Sequence, residues 1–387
     1  MDLYTLNPFF LPERTIDDFV SVVWTERYSA AGDVRLIVPA TYDMVQTLKE
    51  GTFLAQRGTK EVMLLETQSI ENGLLTVVGS SLLDFLDERA VWSKNPFITE
   101  NNPSKILDYT ETGKPGQVIA NVVSAMVILP ADFTGVYTNV NLEWGLEDIQ
   151  HLSLGPVDTS GSDVRISIPV GPLYSGIKTV AEQYGVGMSL YLESADPVTG
   201  YSLKFTTYQG VDRTSDGEAE LIRLVPDMDT LSDVKELRSI AEYKNVVYVY
   251  YQDEVSVHYE DPDNPPEGFN RRILVTNAEG APVGRKGTYT NPWGFEREYT
   301  ELPTAADFAA FRAQNARDAL ANHNYIRAID GQTSPTNEFQ FGVDYFLGDL
   351  IELEGLTGNL GKARITEFIR TRDESGEKSY PTISVVS

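Results

Sequence analysis

The sequence predicts an α+β protein that is mainly β, with a β-rich unit at each end of the chain and a mixed middle. Three observations carry that prediction. Near the N-terminus, short apolar runs flank turn residues, and Asn72-Gly73 joins two of them directly, the strongest short-range hairpin signal. Near the C-terminus, residues 345–385 read YFLGDLIELEGLTGNLGKARITEFIRTRDESGEKSYPTISV, a set of strand-like runs divided by turns and carrying no catalytic signature. Helical periodicity is limited to a few segments. A chain of 387 residues exceeds the usual size of one core, so at least two domains are expected.

The first unit spans 1–92. In FVSVVWTERYSAAGDVRLIVP, residues 19–39, two β-rich runs flank SAAGD, and Gly32 is available there for a positive φ. Thr41 caps a short helix with Met44, Val45 and Leu48 inward and Gly51 closing it. TFLAQ and EVMLLETQSIE form a strand pair across RGTK, LLTVVG follows Asn72-Gly73, and SLLDFLDER reads as a second short helix.

From Trp92 to Pro115 the chain is rich in Asn, Pro, Thr and Gly, the composition of a linker. The middle domain, 93–200, has a helical stripe at Val118, Val122 and Met126 with Ile119 and Val123 beside it, and a second at Leu173, Ile177, Val180 and Tyr184. DVRISIPVG and MSLYLES supply its strands, and the strand-like YSLKFTTY follows directly after it. The last domain, 201–387, begins its strands with NVVYVYYQDEVSVHYE around Gln252-Asp253, carries an inserted turn-rich region at about 258–300, and has a helix at 304–323 with Thr304 as N-cap and Asp307 at the capping-box position. Phe308, Phe311, Ala319 and Leu320 share one side of that helix.

Composition limits the function. With 41% hydrophobic and 10% aromatic residues the chain can bury real cores. A formal net charge of -26 argues against a grip on nucleic acid, which needs clustered Lys and Arg; it suits either simple solubility or a surface that DNA passes without adhering. No apolar run reaches the length of a membrane span, and MDLYTLNPFFLPERTIDD lacks the features of a signal peptide, so synthesis in the cytoplasm is expected. Cysteine is absent, which removes disulfides, thiolate metal ligands and cysteine nucleophiles.

Catalytic patterns are equally sparse. His151, His258 and His323 stand far apart with no His-x-x-x-His pair, and GNLGK at 358–362 lacks the spacing of a phosphate loop. No metal or cofactor site is expected. Asp261, Asp263 and Asn264 in DPDNPPEG lack calcium-loop spacing and read as a proline-stiffened acidic loop. Trp293 and Phe295 in NPWGFEREY are candidate interaction residues, with self-packing an equal reading.

WTERYSAAGDVRLIVPAT, EVMLLETQSIENGLLTVVGSSLLDFLDER, YFLGDLIELEGL and KARITEFIRT together resemble, in that order, the minor tail proteins of actinobacterial siphophages. That family is similar to the baseplate-hub or tail-tip hub proteins of tailed phages, including the N-terminal hub part of tail-associated proteins. The resemblance implies two tail-tube-like β-barrel domains, the 1–92 and 201–387 segments, plus linking mixed α/β domains. It further implies a homotrimer whose pseudo-sixfold ring joins the tail tube to the distal tip of the virion and lines the DNA channel. The implied partners are distal tail or tube proteins, the tape measure, and fibre or receptor-binding proteins, with no sequence-specific nucleic acid binding, no stable membrane insertion and no enzymatic activity. Because the chain stops at Ser387, without the long peptidase or lysozyme region of some hub relatives, wall cleavage and receptor binding are expected of other proteins. A carbohydrate-binding or carbohydrate-cleaving tail protein, or the hub of a phage-derived contractile injection system, is the alternative. If DLIELEGL and KARITEFIRT are paired barrel walls, alternation puts Leu350, Leu353 and Ile365 toward the core or an interface and Glu352, Glu354 and Glu367 on the wet or lumen-facing side.

Overall fold

The computed structural model describes residues 1–91, 108–128, 149, 151–226, 231–278, 286–290, 296–300, 302–321, 323, 325–333, 339–355, 358 and 360–386. The chain opens with β1 (Leu3–Leu6), β2 (Pro12–Ile16), β3 (Ser21–Arg27) and β4 (Asp33–Pro39). Thr41 accepts the Met44 N–H at 3.2 Å to start α1 (Tyr42–Thr47), and Gly51 turns the chain out at φ 83°. Strands β5 (Phe53–Gln56), β6 (Val62–Glu71) and β7 (Leu74–Ser81) follow, with Asn72 and Gly73 at φ 51° and 80° in the hairpin turn, as Asn-Gly dictates. Gly32 does not have a positive φ. It is required for space instead: a Cβ there would lie 2.4 Å from the Thr25 carbonyl oxygen and 2.8 Å from Glu61. SLLDFLDER forms only a 3₁₀ turn over Asp84–Glu88 before β8 (Ala90–Val91).

Next come β9 (Tyr109–Gly113), which lies inside the segment expected to be a linker, and α2 (Pro115–Val123), which continues as a π turn over Ser124–Ile128. After β10 (Leu152–Leu154), β11 (Val164–Ile168) and β12 (Gly171–Pro172), α3 (Leu173–Tyr184) ends at Gly185 with φ 63°. Strands β13 (Gly187–Asp196) and β14 (Gly200–Tyr208) pair antiparallel, and β15 (Arg223–Leu224) closes this stretch. The helix stripes hold: Val118, Ile119, Val122, Val123, Leu173, Ile177 and Val180 are all buried in one cluster with Leu190, Leu203 and Phe205. DVRISIPVG pairs with β9 rather than with the sheet of β13 and β14.

The remaining strands are β16 (Leu231–Ser239), β17 (Val246–Tyr251), β18 (Glu254–Tyr259), β19 (Ile273–Asn277), β20 (Lys286–Thr290) and β21 (Glu296–Thr300). Helix α4 (Ala305–Ala321) precedes β22 (Ile326–Thr333), β23 (Leu350–Glu354), β24 (Leu360–Asp373) and β25 (Gly376–Val386). The capping box forms as read: Thr304 Oγ1 accepts from the Asp307 N–H at 3.3 Å while Asp307 accepts the Thr304 N–H at 2.8 Å.

Contacts divide the chain into two units, Met1–Val234 with Asp330–Val386, and Lys235–Ile329. The first unit holds an 11-stranded sheet in the order β15-β23-β24-β3-β4-β7-β6-β5-β1-β2, with β25 on β24. The two ends of the chain, expected as separate β-rich units, share this sheet through β24 and β3, from Glu367↔Arg27 to Arg372↔Val22. Its path is open among the described residues. One face carries Trp24, Val34, Leu36, Val38, Leu75 and Val77 into a core closed by Leu48, which caps the C-terminus of α1. The second unit contains the three-stranded sheet β18-β17-β19, with Val247 and Val249 packed on Ala316 of α4.

Candidate assembly site

The seam where the chain ends meet carries a compact charge network. Arg27 on β3 reaches Glu367 on β24 at 2.7 Å and Asp33 on β4 at 2.5 Å, and Arg370 on β24 reaches Glu26 at 2.5 Å. The Arg370 guanidinium lies 4.7 Å from the Phe368 ring, which Phe341 stacks at 3.5 Å. Such pairs, half-shielded and shared across strands, fix register more than they add stability.

Glu61 sits beside this network with its Oε2 buried and without a hydrogen-bond partner. Burial, reinforced by the Glu26 charge and only partly offset by Arg370 and Arg27, pushes its carboxyl well above the usual range. A raised folded-state pKa means the folded state prefers the protonated acid, so its contribution is present at low pH and is lost as pH rises through that pKa. Glu61→Gln is therefore expected to raise stability at pH 8 by about 1–3 kcal/mol, with the gain disappearing below about pH 4. Urea unfolding at the two pH values checks this.

A second constellation latches residues 209–224 onto β23. Asp349, almost fully buried, accepts from the Val211 N–H at 2.7 Å, the Phe346 N–H at 3.1 Å and Arg213 Nε at 2.7 Å. Glu352, 3% exposed, accepts from the Ser215 N–H at 2.8 Å, Ser215 Oγ at 2.5 Å and Arg223 Nε at 2.8 Å. Burial opposes the Glu352 charge, but the Ser215 and Arg223 contacts outweigh it and hold the carboxyl below its usual range.

The wet-side expectation for Glu352 is thus corrected. Ile351, Glu352 and Leu353 are all buried in succession, because β23 lies between β15 and β24 and the 209–224 segment supplies partners for the glutamate. Glu354 is partly exposed at the strand end, and Glu367 is half-buried against Arg27. Leu353 and Ile365 are fully buried, as alternation required, while Leu350 is partly exposed. A register shift between Ile365 and Glu367 interrupts the alternation of β24.

Beside the seam lies a cavity of about 510 Å³ bordered by Arg27, Tyr28, Lys178, Glu182, Arg364 and Glu367. Tyr28 is its floor: its hydroxyl donates to the Gly185 carbonyl at 2.9 Å, and the Arg364 guanidinium lies 5.3 Å from its ring while donating to the Gly348 carbonyl at 2.7 Å. Gly348, at φ 90°, begins the turn into β23, and any Cβ there would meet the Tyr28 ring at 2.2 Å. Around the cavity Arg27 pairs with Glu367 at 2.7 Å and Lys178 with Glu182 at 3.7 Å.

The other sequence candidates fall elsewhere. Trp293 and Phe295 lie outside the described residues. His151 packs edge-on to Tyr201, His258 bonds Ser256 at 2.9 Å, and His323 Nδ1 lies 3.1 Å from the Glu242 carbonyl. Asp261 spends its carboxylate capping its own loop through Asp263 and Asn264. Among the described residues no group of three or more His, Asp or Glu could hold a metal, and no helix is long and apolar enough to cross a membrane. Sequence reasoning missed the Asp349–Arg213 and Glu352–Arg223 pairs, since no local pattern connects residues more than a hundred positions apart.

The family described as Siphovirus ReqiPepy6 Gp37-like protein matches residues 6–383. Solved structures of similar fold include the 43 kDa tail protein of prophage MuSo2 from Shewanella oneidensis (TM-score 0.55, 11% identity, covering 99% of this chain and 97% of that one). The tail protein from Neisseria meningitidis MC58 aligns at TM-score 0.54 and 10% identity over 100% of this chain and 96% of that one. Prophage tail protein gp18 from Listeria monocytogenes EGD-e aligns at 0.51 and 11% over 100% and 95%. No curated protein matches the chain.

Proposed function

Because the chain belongs to the siphovirus ReqiPepy6 Gp37-like family and has the fold of phage tail proteins, we propose that it is a structural hub protein of the tail tip or baseplate of a tailed phage. The observation that carries this reading is the shared sheet: one chain presents an N-terminal wall, β1 to β7, and a C-terminal wall, β23 to β25, joined at the seam of β3 and β24. In the proposed assembly these walls belong to two tube-like barrel domains. Three chains then place six walls around an axis, a pseudo-sixfold ring that meets a sixfold tail tube on one side and threefold structures on the other.

The proposed ring lines the DNA channel, and the net charge of -26 keeps DNA from adhering as it passes. Glu354 and Glu367 are the proposed lumen-side acids. Trp293 and Phe295 are the proposed contact residues toward neighbouring tail proteins, which include distal tail or tube proteins, the tape measure, and fibre or receptor-binding proteins. The protein works in the virion, without cofactor and without hydrolytic activity.

Deleting the gene tests this reading. Lysates are expected to contain filled heads and no complete tails by negative-stain electron microscopy. Normal tails that fail only in adsorption or wall penetration would instead identify a receptor-binding or wall-cleaving protein, and a zone of clearing by the purified chain in a peptidoglycan gel would point the same way.

A further inference from the structure

One cation in the first unit is held in place without a counter-charge. Arg364 lies on β24, half-buried in the wall of the cavity beside the seam. It donates to the Gly348 carbonyl at 2.7 Å, and its guanidinium lies over the Tyr28 ring, 5.3 Å from the centroid. Tyr28 is itself buried, with its hydroxyl on the Gly185 carbonyl. A guanidinium carries several donors in a fixed fork. Among the described residues those of Arg364 meet no second acceptor, and no carboxylate lies within ion-pair distance of it.

The other charges of the lining are matched. Arg27 is shared by Glu367 and Asp33, and Lys178 pairs with Glu182 on the same helix. Asp212, which feels the Arg364 charge, gives its Oδ1 to the Thr214 N–H and hydroxyl at 2.9 and 2.7 Å. The carbonyls that follow α3 are occupied as well, Gly185 by Tyr28 and Val186 by Ser29 at 2.8 Å. Arg364 is thus a preorganised donor facing a space with room for a ligand.

Size and charge define the ligand. A cavity of about 510 Å³ falls within the roughly 300–1,000 Å³ typical of small-ligand sites. A carboxylate brings the single negative charge that Arg364 lacks, and its two oxygens match the guanidinium fork. A dianion such as sulfate brings a second charge, which Glu182 and Glu367 on the cavity wall repel. Ser384, exposed on β25 and paired across the strands with Arg364, is placed to donate a further hydrogen bond. With a net charge of -26 the chain as a whole repels anions, so binding at physiological salt has to come from the site itself.

We propose that this cavity binds a carboxylate group, gripped by Arg364 with Ser384 as a second donor, carried either by a small organic acid or by an acidic side chain of a partner protein. The inference does not depend on the hub reading, since every residue it uses lies in the first unit.

The probes are acetate and a blocked tripeptide, acetyl-Gly-Glu-Gly-amide, titrated into the full-length protein near neutral pH at physiological salt and followed by ligand-observed NMR. Competing one-to-one binding is expected, at least tenfold tighter than that of acetamide or the matching glutamine peptide, and at least tenfold tighter than that of sulfate. Arg364→Gln is expected to weaken it at least tenfold, while Arg35→Gln, at an exposed site on β4, leaves it unchanged. Because Arg364 also supports Gly348, Ser384→Glu gives an independent check. With Arg364 intact it supplies the missing carboxylate across the strand pair. The probes then lose at least tenfold in affinity and the melting temperature rises, a rise that vanishes when Arg364→Gln is added. A peptide affinity at least tenfold above that of acetate assigns the carboxylate to a partner's side chain, and similar affinities assign it to a free acid. Equal binding of acid and amide overturns the proposal. So does undiminished binding to Arg364→Gln or Ser384→Glu, tighter binding of sulfate, or no binding of either probe.

Discussion

Replacing Ile365 with aspartate is expected to unfold the first unit or leave it too unstable to assemble. Ile365 is fully buried, faces Ile383 on β25, and holds the turn before β23 through its backbone: its N–H donates to the Asp349 carbonyl at 3.0 Å and its carbonyl accepts from the Gly348 N–H at 2.8 Å. Removing the side chain forfeits about 2–3 kcal/mol of apolar burial, and a carboxylate without a partner in that position adds several more. The total, on the order of 4 kcal/mol or above, compares with a domain stability of about 5–15 kcal/mol. Glu354→Gln on the neighbouring strand, a partly exposed site, is the control and should change stability by less than about 0.5 kcal/mol. Urea unfolding followed by circular dichroism compares the two. A loss under 1 kcal/mol for Ile365→Asp would mean that this strand is not a wall of the core.

Asp349→Ala is expected to cost nearly as much, by a different route. It strands the Arg213 guanidinium and leaves the Val211 and Phe346 N–H groups without their acceptor. Breaking one side of a buried, hydrogen-bonded ion pair costs about 3–5 kcal/mol. Because Asp349 ties 209–224 to β23, part of that loss should surface as local opening. Trypsin cleavage after Arg213 and Arg223 is therefore expected to accelerate at least tenfold under conditions where the wild-type chain resists. Unchanged cleavage would show that the backbone ladder, with Leu350 N–H to Val211 carbonyl and Glu352 N–H to Ile222 carbonyl at 2.9 Å each, holds the segment without the carboxylate.

What could be read from the sequence was local. Asn72-Gly73 and Gln252-Asp253 each place their turns, with positive φ at all four residues, and Thr41 and Thr304 mark helix starts through side-chain oxygens. The stripes of α2 and α3 point to the buried cluster they form. Period-two alternation, in contrast, says which face of a strand is apolar but not which strand lies beside it. Nothing near Arg27 announces Glu367, 340 positions away, so the shared sheet of the chain ends was hidden. The same limit misplaced Glu352. Alternation with Leu353 assigned it to water, whereas Ser215 and Arg223 arrive from a distant segment and make burial tolerable. Gly32 shows a related failure, since glycine signals either a special φ or a close approach, and only the packed structure distinguishes them.

Reconstruction of purified virion tails by cryo-electron microscopy, with the chain fitted at the tip, tests the hub reading most directly. Three copies related by a threefold axis are expected, with the walls β1–β7 and β23–β25 alternating around a pseudo-sixfold channel. One or two copies per tail, or copies placed outside the channel axis as peripheral appendages, would contradict it.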